Sequence, residues 1–466
     1  MERVPTSDRD SEPFRQPSVT ELLSYADERD IDELVGALQK LESGEWSPEE
    51  FRSFRLARGT YGQRQADMSM LRVKIPQGIL TAEQLERLAD VAEKYSRGFA
   101  HVTTRQNIQF HFMKLAEVPL AQRLLATSGL TTREACGHTV RNITACPMAG
   151  CCQGEAFDVT PHGQAVTRYF LRKAENQVLP RKFKIALSGC PSDCAMGAIN
   201  DVGLIAKVKD GACGFQVKVA GGLSTTPEDA HELYDFVPAD ELIPVIEAVL
   251  ALFNKHGNRQ NKSRARLKYV VRKVGWAAFR SLFEEELATV QKAIGRTHPI
   301  DPTPTEILAR SPSLPVVREN AGSAPGFERW RETNVTPQKQ PGFFAVTVRL
   351  IRGDATAAQF RGLAALARNL GDGTARLTID QNVLVRFISS ERLPDFHKGL
   401  AAIGLAEGGA GTILDVASCP GAESCNLAVT ASRELATALT QKLGNPGQKA
   451  PAVDAARDLS IKISGC

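Results

Sequence analysis

Met70-Leu71-Arg72-Val73-Lys74-Ile75 alternates apolar and polar side chains, the period-two pattern of a strand with one buried face. Outward from it, Thr81 to Lys94 has helical periodicity and Ala100 to Phe112 reads as extended, so residues 69–127 give strand, helix, strand, helix. The same order returns at 343–403, with a strand over Phe343 to Ile351, a helix over Thr356 to Leu370 and an extended run over Ala375 to Ile388. The two copies keep register. Gly78 and Gly353 lie 275 positions apart, as do Gln106-Asn107 and Gln381-Asn382. A constant offset over that length reads as an internal duplication of a βαβ-type module, each copy followed by a cysteine-bearing α/β module.

The cysteines repeat on nearly the same offset. Cys146 and Cys152 stand 273 positions before Cys419 and Cys425, and Cys190 stands 276 before Cys466, both within Ser-Gly-Cys. Seven of the ten cysteines belong to this scheme. Four soft thiolates per copy suit a cubane iron–sulfur cluster. The spacing, C-x5-C then C-x3-C some forty residues on, matches neither zinc fingers nor compact ferredoxins. Cys194 completes the first set, whereas the second stops at Cys466. Cys136, Cys151 and Cys213 read as small core residues.

Composition bounds the remainder. Fifty-seven basic and 53 acidic residues leave a net charge of +4, too mild a balance to argue for nucleic acid. Met1 to Ser18 has no apolar core of a signal peptide, and the apolar run Ile243 to Phe253 is short and holds Glu247, so a cytoplasmic location without membrane spans is expected. Clustered cysteines in such a protein read as metal ligands rather than disulfides. Thr20 to Leu41 predicts an amphipathic helix capped by Thr20, Asn254 to Lys273 a basic helix read as a solvated face ahead of a docking site for an acidic partner, and 296–341 a Pro-rich linker (Pro299, Pro302, Pro304, Pro312, Pro315). Expected domains are a helical segment at 1–60, modules at 61–130 and 131–295, the linker, and modules at 342–405 and 406–466.

Thr103-Thr104-Arg105-Gln106-Asn107-Ile108-Gln109-Phe110-His111 resembles the signature strand of the sirohaem nitrite and sulfite reductases. Leu179-Pro180-Arg181-Lys182-Phe183-Lys184, Ser188-Gly189-Cys190-Pro191 with Cys194, Gly214-Phe215 and Gly221-Gly222-Leu223-Ser224 resemble further motifs in the same order. The resemblance covers about residues 60–466. It implies an α+β fold of duplicated ferredoxin-like half-domains alternating with sirohaem/[4Fe–4S] domains about a pseudo-twofold. The implied cofactors are sirohaem and a [4Fe–4S] cluster. The implied reaction is six-electron reduction of sulfite to sulfide or nitrite to ammonia, with electrons from ferredoxin or a similar donor.

The resemblance also implies roles. Arg72, Arg141, Lys182 and Lys184 match the cations that hold the oxyanion; Arg can fork two donors onto it, and Lys can supply a proton. Arg105, Gln109 and His111 match positions that contact sirohaem, and their even spacing puts them on one strand face. Tyr61 and Cys136 resemble a Tyr–Cys pair of some members, which leans the substrate slightly towards sulfite. Projected into the second half, the cage positions fall on Thr347, Leu414, Asp458 and Ser460, with Arg349 as the one nearby cation. The cage therefore belongs to the first half.

In the family that cage serves the cluster of the other half, here Cys419, Cys425 and Cys466. The family pattern continues with one more cysteine, so the chain reads as a C-terminally truncated reductase. Two alternatives stay open: an iron–sulfur electron-transfer protein using only Cys146, Cys152, Cys190 and Cys194, or an inactive fragment with an exposed apolar interface.

Overall fold

A computed structural model describes residues 18–301, 325–444, 456 and 458–466. Its first sheet is antiparallel, in the order Thr60–Gly62, Met68–Val73, Ile108–Lys114, Phe99–Val102, Asp354–Thr356. The second repeats it: Val335–Pro337, Phe343–Val348, Val383–Ser389, Thr374–Leu377, Ile79–Thr81. The last strand of each sheet is donated by the other copy. The half-domains therefore exchange strands and share one hydrophobic core, in which Leu85, Leu88 and Ala92 of helix Ala82–Tyr95 join Phe360, Leu363 and Ala367 of helix Ala357–Leu370. Each fully buried leucine or phenylalanine there contributes about 1.5–3 kcal/mol of hydrophobic stabilisation.

The two copies agree down to backbone strain. Thr81 with Gln84, and Thr356 with Gln359, form capping boxes at the helices that follow the exchanged strands. Gln77 and Arg352 have φ of 58° and 61°, Gln106 and Gln381 52° and 68°, Phe112 and Phe387 60° and 58°. Phe112 and Phe387 sit at β-bulges, and each bulged amide donates to a glutamine side chain, Gln63 or Gln338. A bulge bends the strand and re-aims its neighbours, here His111 and Arg386.

Between the copies lies a sheet of His231–Pro238, Ala212–Val219, Val202–Lys209, Ile185–Ser188 and Thr144–Ala145. Its last three strands run parallel, and helices Leu242–His256, Leu267–Val274 and Trp276–Ile294 help build a second core beside it. Of the second counterpart the described residues show a short parallel pair, Ala417–Ser418 with Lys462–Ile463.

Several expectations change. Ala100–Phe112 and Ala375–Ile388 are each a hairpin, because Gln106 and Gln381 adopt left-handed turns that sequence alone does not mark. The N-terminal helix is two, Val19–Leu22 capped by Ser18 and Glu28–Glu42 capped by Asp27; Thr20 is inside the first. The basic helix expected over 254–273 breaks after His256 and restarts at Leu267. The linker's end carries helix Phe327–Asn334 and strand Val335–Pro337 of the second sheet. Residues 1–17 and Pro302, Pro304, Pro312 and Pro315 lie outside the described residues.

Gly78 and Gly353 precede the exchanged strands with φ of +71° each. A Cβ there would lie 2.6 Å from Leu377 O or 2.7 Å from Val102 O. Gly78→Ala and Gly353→Ala are each expected to destabilise the protein by about 2–4 kcal/mol in urea unfolding, from left-handed strain plus overpacking.

Candidate functional site

Strand Met68–Val73 carries Arg72, the segment before Thr144–Ala145 carries Arg141, and the segment before Ile185–Ser188 carries Lys182 and Lys184 to the same place. Arg72 reaches Cys136 Sγ and Ala135 O, both at 3.5 Å, and lies 6.0 Å from the Tyr61 ring. With its amide turned oxygen-inward, Gln109 accepts from Arg72 Nε at 3.2 Å and from Nη2. Arg141 donates to Gly137 O at 3.1 Å and to Tyr61 Oη at 3.4 Å. Neither Lys182 nor Lys184 makes an ion pair among the described residues. Nearby Lys74 differs: its ammonium is neutralised by buried Glu134 at 3.3 Å.

Unpaired cations held close together repel. Burial, with Arg141, Arg266, Arg181 and Arg72 adding to it, lowers the Lys182 pKa to about 7. Lys184 moves well below the lysine range through burial and then Arg105. Lys182 is thus poised to exchange a proton near neutrality.

The other expected residues occupy distinct places. Arg105 lies in the hairpin turn, off strand Ile108–Lys114 that carries Gln109 and His111. It ties the half-domain to the central module through Asn200 Oδ1 at 2.6 Å, Ile185 O at 3.1 Å and Asn142 O. Buried His111 meets Ser424 Oγ at 3.1 Å through Nδ1, while its Nε2 is buried without a partner. Ser424 precedes Cys425, so this contact joins the first half-domain to the second cysteine set.

Both cysteine sets start at the end of a parallel strand pair. Cys146 N donates to Leu187 O at 3.0 Å, and Cys419 N to Ile463 O at 3.2 Å. Gly465 N donates to Cys419 Sγ at 3.1 Å, which places Cys466 beside Cys419. In the first set Cys146, Cys152, Cys190 and Cys194 are near enough to influence one another electrostatically.

Among the described residues the second copy makes no comparable cage. Thr347 and Leu414 offer backbone carbonyls to Asn334 and Arg349, and Arg349 is neutralised by Glu407. The structure thus places the four cations together in the first half.

Comparison with known proteins bears on what this arrangement is. The nitrite and sulphite reductase 4Fe-4S domain matches residues 136–290. The nitrite/sulfite reductase ferredoxin-like half domain matches residues 61–127 and 336–403. A ferredoxin–nitrite reductase of Synechococcus elongatus is 30% identical over 407 residues, covering 85% of this chain and 73% of its own length. The chain belongs to the nitrite and sulfite reductase family. Sulfite reductase [ferredoxin] 1 of Mycolicibacterium paratuberculosis is 29% identical over 406 residues, covering 86% of this chain and 67% of the relative. The solved structure of Mycobacterium tuberculosis NirA protein superposes with a TM-score of 0.75 at 26% identity, over 94% of this chain and 80% of that one.

With the family come its cofactors, sirohaem and a [4Fe–4S] cluster, and the residues fit them. A tetrapyrrole rich in carboxylates and an oxyanion substrate would both neutralise cations that the protein leaves unpaired. The thiols are the ligands a cluster needs. Among the described residues no helix is long and apolar enough to cross a membrane.

Sequence reading missed Arg266. It forks onto buried Asp201 at 3.0 and 2.8 Å, and Asp201 in turn accepts from Lys184 N at 2.8 Å. Arg266 thereby occupies the carboxylate that would otherwise neutralise Lys184, while adding its field to both lysines. Its only signal was membership of a basic run that reads as solvated.

Lys182 binds its proton more weakly folded than unfolded, so its charge costs stability below about pH 7 and that cost fades as pH rises towards 10.5. Lys182→Met is therefore expected to raise the melting temperature at pH 6, with the gain shrinking by pH 9, in buffer without added oxyanion.

Proposed function

We propose that the chain carries the oxyanion site of a six-electron reductase acting on sulfite or nitrite, with Arg72, Arg141, Lys182 and Lys184 gripping the anion. The observation that carries this reading is a pair of lysine ammoniums, Lys182 and Lys184, that make no ion pair among the described residues and stand beside Arg72 and Arg141. A sirohaem coupled to a cluster would supply the electrons that the reduction needs. Arg105, Gln109 and His111 would line that cofactor, and Cys419, Cys425 and Cys466 would ligate the cluster.

The protein's own part is binding and proton supply. The arginines present forked donors to anion oxygens, and the lysines add charge in a partly buried site where it acts strongly. Gln109 fixes the Arg72 guanidinium, and Tyr61 supports Arg141. Every oxygen lost from sulfur or nitrogen leaves as water and needs two protons. Lys182, with its pKa near 7, can give one to an anion oxygen and recover it from solvent. Electrons would come singly from ferredoxin or a similar donor, as the names of the relatives suggest. The Tyr61/Cys136 pair against Arg72 and Arg141 favours sulfite over nitrite.

Arg141→Ala and Lys182→Ala are each expected to lower kcat about 100- to 1,000-fold with either anion, the scale for losing one charge-stabilising donor. Iron, sulfide and tetrapyrrole absorbance should be unchanged. Loss of the Soret band in these variants would instead assign them to holding the cofactor. Competition between sulfite and nitrite at equal concentration decides the substrate.

A further inference from the structure

One cation of the first half has no task in the oxyanion reading. Lys74 stands two residues beyond Arg72, and its side chain and that of Glu134 are 2% and 0% exposed. Glu134 is held on both oxygens. Oε2 accepts from Lys74 Nζ at 3.3 Å, and Oε1 from Arg172 N at 2.8 Å and Gln177 Nε2 at 2.6 Å. A buried ion pair does little for stability by itself, because apolar side chains of similar volume often serve as well or better. What the pair holds is therefore the informative part.

Lys74 Nζ also donates to Val140 O at 3.3 Å. That oxygen belongs to the peptide unit whose N–H is that of Arg141, and Arg141 N donates to Phe183 O at 2.9 Å. The unit is planar, and it is gripped on its oxygen by Lys74 and on its nitrogen by Phe183. Phe183 lies between Lys182 and Lys184 in the chain, and its own amide returns to Thr139 O at 3.1 Å. Lys74 N donates to Thr131 O at 2.8 Å, so Lys74 ties down both ends of the loop that leads to Arg141. Within that loop Glu134 is left-handed, with φ of 57°, and its amide donates to Ala57 O at 2.6 Å. A strained residue persists where its surroundings over-determine it.

The second copy supplies the comparison. Arg349 and Glu407 correspond to Lys74 and Glu134, and Arg349 Nη1 donates to Leu414 O at 2.7 Å. Leu414 stands where the first half has Arg141, and Glu407 is 61% exposed in its side chain. The pair is sealed from water in the copy that gathers the cations and open to water in the copy that does not.

We infer that Lys74, paired with Glu134, is a positioning residue of the oxyanion site proposed above, on which reading its role rests. It fixes the Val140–Arg141 peptide so that the Arg141 guanidinium meets the anion together with Lys182 and Lys184. Lys74 itself does not touch the anion, since its ammonium is turned to Glu134 and Val140 O.

The test is a double-mutant cycle on the full chain, with sulfite binding read by titration calorimetry. Lys74→Met is expected to weaken binding about 10- to 100-fold, and Lys74→Arg to restore it to within about threefold. In an Arg141→Ala background, Lys74→Met is expected to change the dissociation constant by less than about twofold, because the residue it positions is already gone. An equal loss in both backgrounds would reveal general loosening and overturn the inference, as would unchanged binding by the Lys74→Met protein. Should circular dichroism show that protein unfolded, Lys74→Met/Glu134→Gln removes both buried charges, still lacks the donor to Val140 O, and carries the same cycle. Hydrogen exchange gives a readout without ligand. The Arg141 amide is expected to exchange about tenfold faster or more in these variants, with helix Ala82–Tyr95 unchanged. An Arg141 amide as protected as before would overturn the inference. A starting protein that binds neither sulfite nor nitrite would instead refute the oxyanion reading, and its Arg141 amide would still report whether Lys74 holds the peptide.

Discussion

The exchange of one strand between the half-domains is the constraint on which everything else depends. Ile79–Thr81 completes the second sheet and Asp354–Thr356 the first. Two glutamines lock the exchange to the cysteine modules. Gln106 donates to Ala145 O and Leu377 O and accepts from Ala145 N, so it binds its own cysteine strand and the other half-domain together. Gln381 does the same with Ser418 and Val102. Both are buried and held at positive φ. The strain is offset by three hydrogen bonds that no other local conformation would satisfy together.

From that lock follows the division of labour. The loop after Thr60–Gly62 lies on the Cys425 turn, where Arg64 N donates to Ser424 O; its counterpart Lys339 N donates to Cys151 O. Each half-domain thus covers the cysteine loop of the opposite half. The pseudo-symmetry fails in charge, however. Facing the second-half cysteines are two neutral histidines: burial lowers His101 to about 3 and drives His111 well below its usual value. Facing the first-half loop are Arg376 and Arg386. Duplication preserved the backbone and let the electrostatic surroundings of the two thiol sets diverge.

How much of this the sequence showed differs by element. The duplication was legible because Gly78/Gly353 and Gln106/Gln381 keep one offset, and both helices were legible from Thr81 and Thr356 onward. The exchange was not, since three-residue strands such as Ile79–Thr81 read alike whichever sheet they join. The hairpins were missed because their turns use a glutamine, not glycine, in the left-handed region. The cage residues stood out by type and motif position. Arg266 did not, because nothing in its basic run separates a residue 11% exposed in its side chain from one in solvent.

The exchanged strand also sets an order of events during synthesis. Strand Phe99–Val102 pairs along one side with Asp354–Thr356, which leaves the ribosome about 250 residues later. At roughly 5–20 residues per second that is on the order of 10–50 s. Throughout that interval the nascent chain presents an unpaired sheet edge, the kind of surface on which foreign strands dock. Until the second copy is translated, that edge has no partner strand of its own.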